Sequence, residues 1–238
     1  KKIHFPKNNS DIKKAHDRLA FDELFLIQLQ SQLVKKSLSL SRAWAVKFQE
    51  TETKRFVDSL PFKLTDAQRQ AAWEILKDLE KNMPMSRLLE GDVGSGKTIV
   101  VIIAMLNVAL AGKQAVLMVP TEILAKQHYE TVGRLLKGFD VRIGLITRTN
   151  KLMSGDKKFK TPEIVKRADI VIGTHALIQE DIKFNNLALA IIDEQHRFGV
   201  EQRKSLLEKS GSELVPHLLS LAPPPIPTSL ALALSAHL

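Results

Sequence analysis

The segment at residues 91–98 constrains the fold of this chain more than any other stretch. It matches the pattern Gly-x4-Gly-Lys-Ser/Thr, and its members are Gly91, Asp92, Val93, Gly94, Ser95, Gly96, Lys97 and Thr98. Glycines let a backbone wrap closely around an anion, and the helix that follows turns its positive N-terminal end toward that anion. An apolar pair precedes the segment and an apolar run follows it, as the strand, loop and helix of a phosphate site require. The alternative is a surface turn that matches by chance.

The segment predicts roles for individual side chains around a bound nucleotide. Lys97 would reach the β- and γ-phosphates, and the Thr98 hydroxyl would ligate Mg²⁺. Gln68 lies in the first turn of an upstream predicted helix, where its amide could make two hydrogen bonds to an adenine edge. Phe62 could lie against the adenine ring, although a glutamine with no such role fits the sequence as well. We therefore predict a site for ATP and Mg²⁺.

An acidic segment further along the chain supplies the second half of this chemistry. Asp193 stands at the carboxyl end of an apolar strand, where it would complete the Mg²⁺ shell, and Glu194 would orient and deprotonate water. Ligands of open α/β sheets bind outside the carboxyl ends of the strands, which favours this placement. Gln195 and His196 follow and would touch a neighbouring element, unless they simply face solvent. The chain has no cysteine, so metal ligation by His196 is not expected.

Strands and helices alternate after the phosphate segment, which is typical of an α/β domain with a parallel sheet. The predicted strands are at residues 115–119, 141–146, 170–172 and 187–192, and the predicted helices are at 65–79, 98–111 and 121–137. We expect this domain at 60–221, because Pro61 disfavours helix at the preceding residue. Residues 1–59 form a helical linker with an amphipathic helix at 17–34. Residues 222–238 form an irregular tail.

Charge and strand-end residues raise the question of a nucleic-acid partner. The net charge of +9 suits a polyanion, but a solvated basic surface explains it equally well. Side chains and N–H groups at strand ends could bind a nucleic-acid backbone. They belong to Thr121, Glu122, Gly173, Thr174 and His175. Helix capping and turn formation are the simpler explanation of these residues.

Other features bear on compartment and surface. The N-terminal residues are polar and do not resemble a signal peptide, so we expect a cytoplasmic protein with no membrane partner. A basic loop follows the strand predicted at 141–146, with Arg148, Lys151, Lys157, Lys158 and Lys160. No charged residue follows Glu213, so the segment after it would expose apolar surface unless it packs or finds a partner.

Four segments together resemble the RecG family of ATP-dependent DNA helicases, which are superfamily-two motors. These segments are residues 91–98, 120–122, 173–177 and 193–200. The last of them, an acidic pair with Gln-His followed by Arg-Phe-Gly-Val, is the most specific. The transcription-repair coupling translocases, the nearest rival family, usually differ at Gln195 and His196. The resemblance covers about residues 1–230.

This resemblance implies a RecA-like P-loop NTPase fold and ATP-driven remodelling of branched or forked DNA. It assigns Lys97, Asp193 and Glu194 the roles described above and includes Gln195 and His196 in the catalytic segment. It also puts the five strand-end residues in segments that the family uses to track DNA.

The departures from the family qualify this picture. Arg148 stands where the family commonly has glycine, and a Thr-Ala-Thr segment of the family appears as Ala-Pro-Pro at residues 222–224. A second motor domain with its arginine finger has no counterpart in the sequence. We therefore expect weak Mg·ATP binding without efficient hydrolysis or unwinding. The alternatives are a non-catalytic nucleic-acid-binding module and one subunit of a split helicase with a separately encoded second motor domain.

Overall fold

The chain divides into two compact units, residues 1–41 and 42–238. The computed structural model describes residues 12, 13, 16, 18, 19, 21, 25, 29, 41–92, 94–155, 157–179, 182–193, 205, 206, 209 and 214–223. In the first unit the described residues between 12 and 29 are helical, and Phe21 and Phe25 stack with ring centroids 6.0 Å apart. The second unit begins well before residue 60, so it includes the end of the segment that we expected to be linker.

The second unit alternates helices with strands after its first two helices. The helices are α1 (Glu50–Asp58), α2 (Asp66–Leu79), α3 (Lys97–Leu110), α4 (Glu122–Leu135) and α5 (Thr161–Arg167), and a 3₁₀ turn covers His175–Ile178. The strands are β1 (Ser86–Glu90), β2 (Gln114–Met118), β3 (Ile143–Ile146), β4 (Lys151–Met153), β5 (Lys157–Lys158), β6 (Ile170–Gly173), β7 (Leu187–Ile192) and β8 (His217–Ala222). The helices and strands predicted after residue 60 are confirmed, with ends that differ by about two residues, which is the usual uncertainty of helix ends.

One sheet contains the described strands in the order β1-β8-β7-β2-β6-β3-β4-β5. Neighbouring strands from β1 to β3 in this order run parallel, whereas β3, β4 and β5 pair antiparallel. Parallel strands need long crossover connections, and α3 carries the chain from β1 over β8 and β7 to β2. The expected α/β architecture with a parallel sheet is therefore confirmed.

Both faces of the sheet are covered by apolar side chains. One face packs against α1, α2, α3 and α4, and α3 is buried from Ile99 to Ala109, as its almost wholly apolar sequence predicts. The other face packs around α5, where Ile164 and Phe184 are buried. Because β2, β3, β6 and β7 are buried at every position, they have continuous apolar sequences rather than alternating ones.

The structure differs from the sequence-based expectation in two places. The basic loop after β3 is a pair of short antiparallel strands, β4 and β5, which extend the edge of the sheet. The uncharged segment after Glu213 does not expose its first apolar residues, because β8 lies between β1 and β7 with Leu219 and Leu221 buried. Residues 224–238, most of the expected tail, lie outside the described residues.

Candidate nucleotide-binding site

The carboxyl edge of the sheet carries the phosphate segment and Asp193, the predicted Mg²⁺ ligand. The phosphate segment follows β1, and Asp193 follows β7, with β8 lying between the two strands. Adjacent strands lie about 4.8 Å apart, so these two strand ends are about 10 Å from each other. This is the edge at which ligands of parallel α/β sheets bind.

The backbone of the phosphate loop depends on glycine at two described positions. Gly94 has φ of 85° and Gly96 has φ of 82°, which is the left-handed region that other residues occupy only with strain. Gly96 is also the N-cap of α3, so the loop leads directly into the N-terminal end of a long buried helix. Thr98, the predicted Mg²⁺ ligand, is partly buried in the first turn of α3. Val93 lies outside the described residues.

The ammonium group of Lys97 lies over the loop. Its Nζ atom donates hydrogen bonds to the backbone carbonyls of Gly91 and Asp92, the second at 2.9 Å. Phosphate oxygens are stronger acceptors than neutral carbonyls, because hydrogen bonds between charged partners are about twice as strong. Lys97 is therefore positioned to exchange these two carbonyls for the phosphates of a nucleotide.

Gln68 has both ends of its amide engaged. Its Oε1 atom accepts from the backbone N–H of Thr65 at 2.9 Å, and the Thr65 hydroxyl accepts from the backbone N–H of Gln68 at 3.2 Å, so the pair forms a capping box at the start of α2. Its Nε2 atom donates to the carbonyl of Ser95 at 2.8 Å. The predicted adenine reader thus connects α2 to the phosphate loop in this structure.

A cavity of about 360 Å³ separates the first turns of α2 from the loop. Its lining includes Thr65, Gln68, Ala71, Gly91, Ser95 and Lys97. The other residue predicted to contact adenine, Phe62, is 49% exposed and stands outside this lining. A cavity of about 410 Å³ opens beside Tyr129 and Phe139, near the C-terminal end of α4. The smaller cavity is the candidate site because it borders the phosphate loop.

An ionic network fixes β1 against α2 and so holds the two walls of the candidate site. Arg87 of β1 donates to Glu74 at 2.8 Å and also to Asp78, both on α2. Burial raises the pKa of Asp78, but hydrogen bonds from Lys81 and Arg87 outweigh that effect and hold the pKa below its usual value. The carboxylate therefore stays ionised and keeps its hold on Arg87.

Asp193 contacts a neighbouring strand and a helix at the end of β7. Its backbone N–H donates to the carbonyl of Met118 at 2.9 Å, and its Oδ2 atom lies 3.7 Å from Nε2 of His128 on α4. His128 was not predicted from the sequence. It could have been predicted from its spacing, because it lies seven residues, or two helical turns, after Thr121, and such residues share a helix face. Glu194, Gln195 and His196 lie outside the described residues, so their roles stay predictions.

Two of the strand-end candidates for nucleic acid stand at the start of α4. The Thr121 hydroxyl accepts a hydrogen bond from the backbone N–H of Leu124 at 3.2 Å and caps the helix. The Glu122 carboxylate accepts hydrogen bonds from the hydroxyls of Thr149 and Thr147, and these bonds, that of Thr149 most strongly, hold its pKa below the usual value. Both side chains therefore have structural partners within the fold.

The other three candidates stand at the end of β6, next to β2 in the sheet. Gly173 leaves no room for a side chain, since a Cβ atom there would lie 2.1 Å from the backbone oxygen of Ile146. Thr174 is buried, whereas His175 is exposed. The fold thus brings the five predicted residues to two adjacent strand ends, where His175 offers an exposed side chain.

Comparison with known proteins identifies the family. A family model described as "DEAD/DEAH box helicase" matches residues 65–236, which is more than half of the chain. The chain belongs to the DEAD/DEAH box helicase family. Membership in this family confirms the sequence-based identification of a helicase motor with a RecA-like α/β fold, and it implies the use of ATP.

Individual relatives match over nearly all of this chain. Two relatives named "ATP-dependent DNA helicase RecG" are 46% identical to it. The match to the protein of Aquifex aeolicus covers 100% of this chain and 31% of the relative. The match to the protein of Thermotoga maritima covers 97% of this chain and 29% of the relative. A solved structure described as "Structure of RecG bound to three-way DNA junction" superposes with a TM-score of 0.77 and 41% identity over 99% of this chain and 31% of that one. The chain therefore spans about a third of the length of these relatives. Within its described part, no helix is both long and apolar enough to cross a membrane.

Proposed function

We propose that this chain is the ATP-binding motor domain of a DNA helicase that acts on branched or forked DNA. The observation that carries the proposal is the phosphate segment after β1, which shares one sheet edge with Asp193 after β7, in a member of the DEAD/DEAH box helicase family. The relatives at 46% identity are named as ATP-dependent DNA helicases, and the similar solved structure is bound to a three-way DNA junction. Those proteins are about three times as long, so we assign to this chain only the steps that its own residues carry.

The residues present fit a nucleotide with its metal ion. The left-handed glycines Gly94 and Gly96 turn the loop, and the ammonium of Lys97 donates to two of its carbonyls, from which it could transfer to β- and γ-phosphates. The Thr98 hydroxyl and the Asp193 carboxylate would hold Mg²⁺, which neutralises charge on the phosphate oxygens when it is bound. Glu194 would orient and deprotonate the attacking water.

Helix α4 links the nucleotide half of the sheet edge to the half that we assign to DNA. It begins with Thr121 and Glu122 beside the end of β6, and two turns later it presents His128 to Asp193. A displacement of Asp193 on nucleotide binding or hydrolysis would therefore act on a helix that starts just after β2, the strand that neighbours β6, and His175 follows β6. This link supports a motor function over simple nucleic-acid binding.

The test is ATP and DNA binding by the purified chain beside two lysine variants. Lys97→Ala removes the phosphate contact, and Lys54→Ala is the matched control because Lys54 is an exposed lysine on α1 outside the cavity lining. We expect Lys97→Ala to weaken ATP binding at least about tenfold, since hydrogen bonds to charged groups contribute about 1.5–3 kcal/mol. Lys54→Ala should bind ATP as the unmodified chain does, and all three should bind a three-way DNA junction.

ATP turnover with and without the junction separates the remaining possibilities. Nucleotide binding without turnover is our expectation, and it means that hydrolysis needs groups that the longer relatives carry elsewhere. Junction-stimulated turnover that Lys97→Ala abolishes would mean that copies of the chain complete the site for each other. Equal ATP binding by the unmodified chain and Lys97→Ala would contradict the proposed site, and DNA binding with no ATP binding would favour a non-catalytic module.

A further inference from the structure

The turn at residues 147–150 joins β3 to β4 at the same carboxyl edge of the sheet. The backbone N–H of Thr147 donates to the carbonyl of Asn150 at 2.8 Å, and the N–H of Asn150 donates back to the Thr147 hydroxyl at 2.9 Å. Ile146 pairs with Lys151 on the other side of the turn. The chain therefore reverses over two tip residues, Arg148 and Thr149, both exposed.

The carboxylate of Glu122 fixes this turn from α4. Its Oε2 atom accepts from the Thr147 hydroxyl at 3.2 Å and from the Thr149 hydroxyl. The Asn150 amide donates to the Thr149 hydroxyl at 2.9 Å. The Glu122 carboxylate accepts hydrogen bonds from two hydroxyls of the turn, so it fixes the position of the tip.

The turn stands beside the strand ends that carry the other nucleic-acid candidates. In the sheet β3 neighbours β6, and β6 neighbours β2, so Arg148, His175 and Thr121 follow three adjacent strands. A hydrogen bond of 3.3 Å from the N–H of Thr174 to the carbonyl of Ile146 connects the ends of β6 and β3. Three strands at about 4.8 Å spacing extend over about 10 Å, which is enough for more than one backbone phosphate of a nucleic acid.

We propose that Arg148 binds a backbone phosphate of DNA at this edge, and that Glu122 contributes by fixing the turn rather than by touching DNA. This inference rests on the proposed DNA-dependent function. A guanidinium group matches a phosphate with paired N–H donors, and a turn fixed before binding loses little conformational freedom when DNA arrives.

The test compares two arginine variants of the full 238-residue chain with the same loss of charge. Arg148→Gln removes the proposed contact, and Arg134→Gln is the control because Arg134 is exposed in the last turn of α4, at the opposite end of that helix. Binding of a fluorescently labelled three-way DNA junction is followed by anisotropy over a range of salt concentrations. Neutralising one phosphate contributes about 0.9 to the slope of log K against log salt, so Arg148→Gln should lower the magnitude of the slope by about 0.9 and the affinity roughly eightfold at about 0.1 M salt. Arg134→Gln should stay within about twofold of the unmodified chain.

The role of Glu122 is tested with Glu122→Ala and with the double variant Glu122→Ala/Arg148→Gln. Loss of a negative charge alone would strengthen DNA binding, so weaker binding by Glu122→Ala identifies a positioning role. If Glu122 acts through Arg148, the double variant should lose no more affinity than Arg148→Gln. Stronger binding by Glu122→Ala, or losses that add in the double variant, would overturn this part of the inference.

The outcomes also separate this inference from the proposed function. If the unmodified chain binds the junction but Arg148→Gln and Arg134→Gln behave alike, the Arg148 contact is wrong and the DNA function stands. If the unmodified chain does not bind the junction even at low salt, both are wrong.

Discussion

The side-chain amide of Gln68 donates a hydrogen bond of 2.8 Å to the backbone carbonyl of Ser95, so the first turn of α2 is connected to the middle of the phosphate loop. The same amide accepts from the backbone of Thr65 at 2.9 Å. These two bonds use one N–H and one oxygen lone pair of the amide, which has two of each. Gln68 therefore shapes the loop before any nucleotide arrives.

Gln68→Glu separates these two bonds. A glutamate keeps the acceptor that completes the capping box, so the melting temperature should change little. It replaces the donor to Ser95 with an acceptor, so hydrogen exchange of loop amides at residues 94–96 should speed up in the chain without nucleotide. Unchanged exchange in this variant would show that the Ser95 bond does not hold the loop.

The adenine role of Gln68 remains a prediction and has its own test. If the amide reads adenine in the bound state, Gln68→Glu should lower the preference for ATP over GTP, because the matching donor is lost. The measurement is the ratio of the two dissociation constants. An unchanged ratio with both affinities reduced would assign Gln68 to loop support alone.

Gly96→Ala should abolish nucleotide binding at a modest cost in stability. A Cβ atom at this position would lie 2.2 Å from Nε2 of Gln68, which must then leave Ser95. Gly112→Ala is the matched control, since Gly112 also has positive φ, 69°, but open space around it. The free energy of unfolding, measured in urea, should fall by about 1–2 kcal/mol in both variants, because alanine is strained in the left-handed region. Only Gly96→Ala should lose ATP binding. Normal ATP binding by Gly96→Ala would contradict this.

Gly173→Ala should destabilise the fold, whatever it does to DNA binding. The added Cβ atom would meet the backbone oxygen of Ile146 at 2.1 Å, and a backbone atom cannot move aside as a side chain can. We expect a loss of roughly 1–3 kcal/mol, as for other overpacked sites. Gly133 lies inside α4 with open space around the position of a Cβ atom, so Gly133→Ala should raise the free energy of unfolding by about 0.5–1 kcal/mol. Equal stability of the two variants would show that the end of β6 has room to adjust.

His217 makes the stability of the fold depend on pH. It is fully buried at the start of β8, where Nδ1 accepts from the N–H of Met85 at 3.0 Å and Nε2 donates to the carbonyl of Trp44 at 2.8 Å. Burial lowers the pKa of His217 below 6.5, and the hydrogen bond to Trp44 only partly opposes this. The folded chain therefore binds this proton less readily than the unfolded chain does.

The free energy of unfolding should consequently fall as pH decreases below about 6.5, by at most about 1.4 kcal/mol per pH unit from this group. Above that pH the imidazole is neutral in both states and its contribution is constant. Urea unfolding at several pH values, beside His217→Gln, measures the effect. His217→Gln should be less stable near neutral pH but show a flatter slope in acid. An equal slope for His217→Gln and the unmodified chain would contradict the assignment.

Local sequence was sufficient to predict the elements whose energetics are local. The phosphate loop could be recognised because it needs glycine where φ is positive, as at Gly94 and Gly96, and a helix directly afterwards. The burial of α3 followed from its apolar composition, and the start of α4 from the capping hydroxyl of Thr121. Each of these signals is contained within a few neighbouring residues.

Features that depend on distant partners could not be predicted in this way. Prolines bound strand β8 on both sides, but its place between β1 and β7 depends on pairing with residues far away in the chain. The Glu122 carboxylate could have faced DNA or the turn at residues 147–150, and only the packing of α4 beside β3 decided for the turn.

The sequence alone thus determined that this chain has a phosphate loop in an α/β domain, because glycine conformations, helix caps and apolar runs are set by neighbouring residues. The tertiary structure decided which side chains meet at the sheet edge: Gln68 with Ser95, His128 with Asp193, and Glu122 with the turn that carries Arg148. The physical reason is that such contacts depend on strand order and helix packing, which arise from burial and pairing summed over the whole domain.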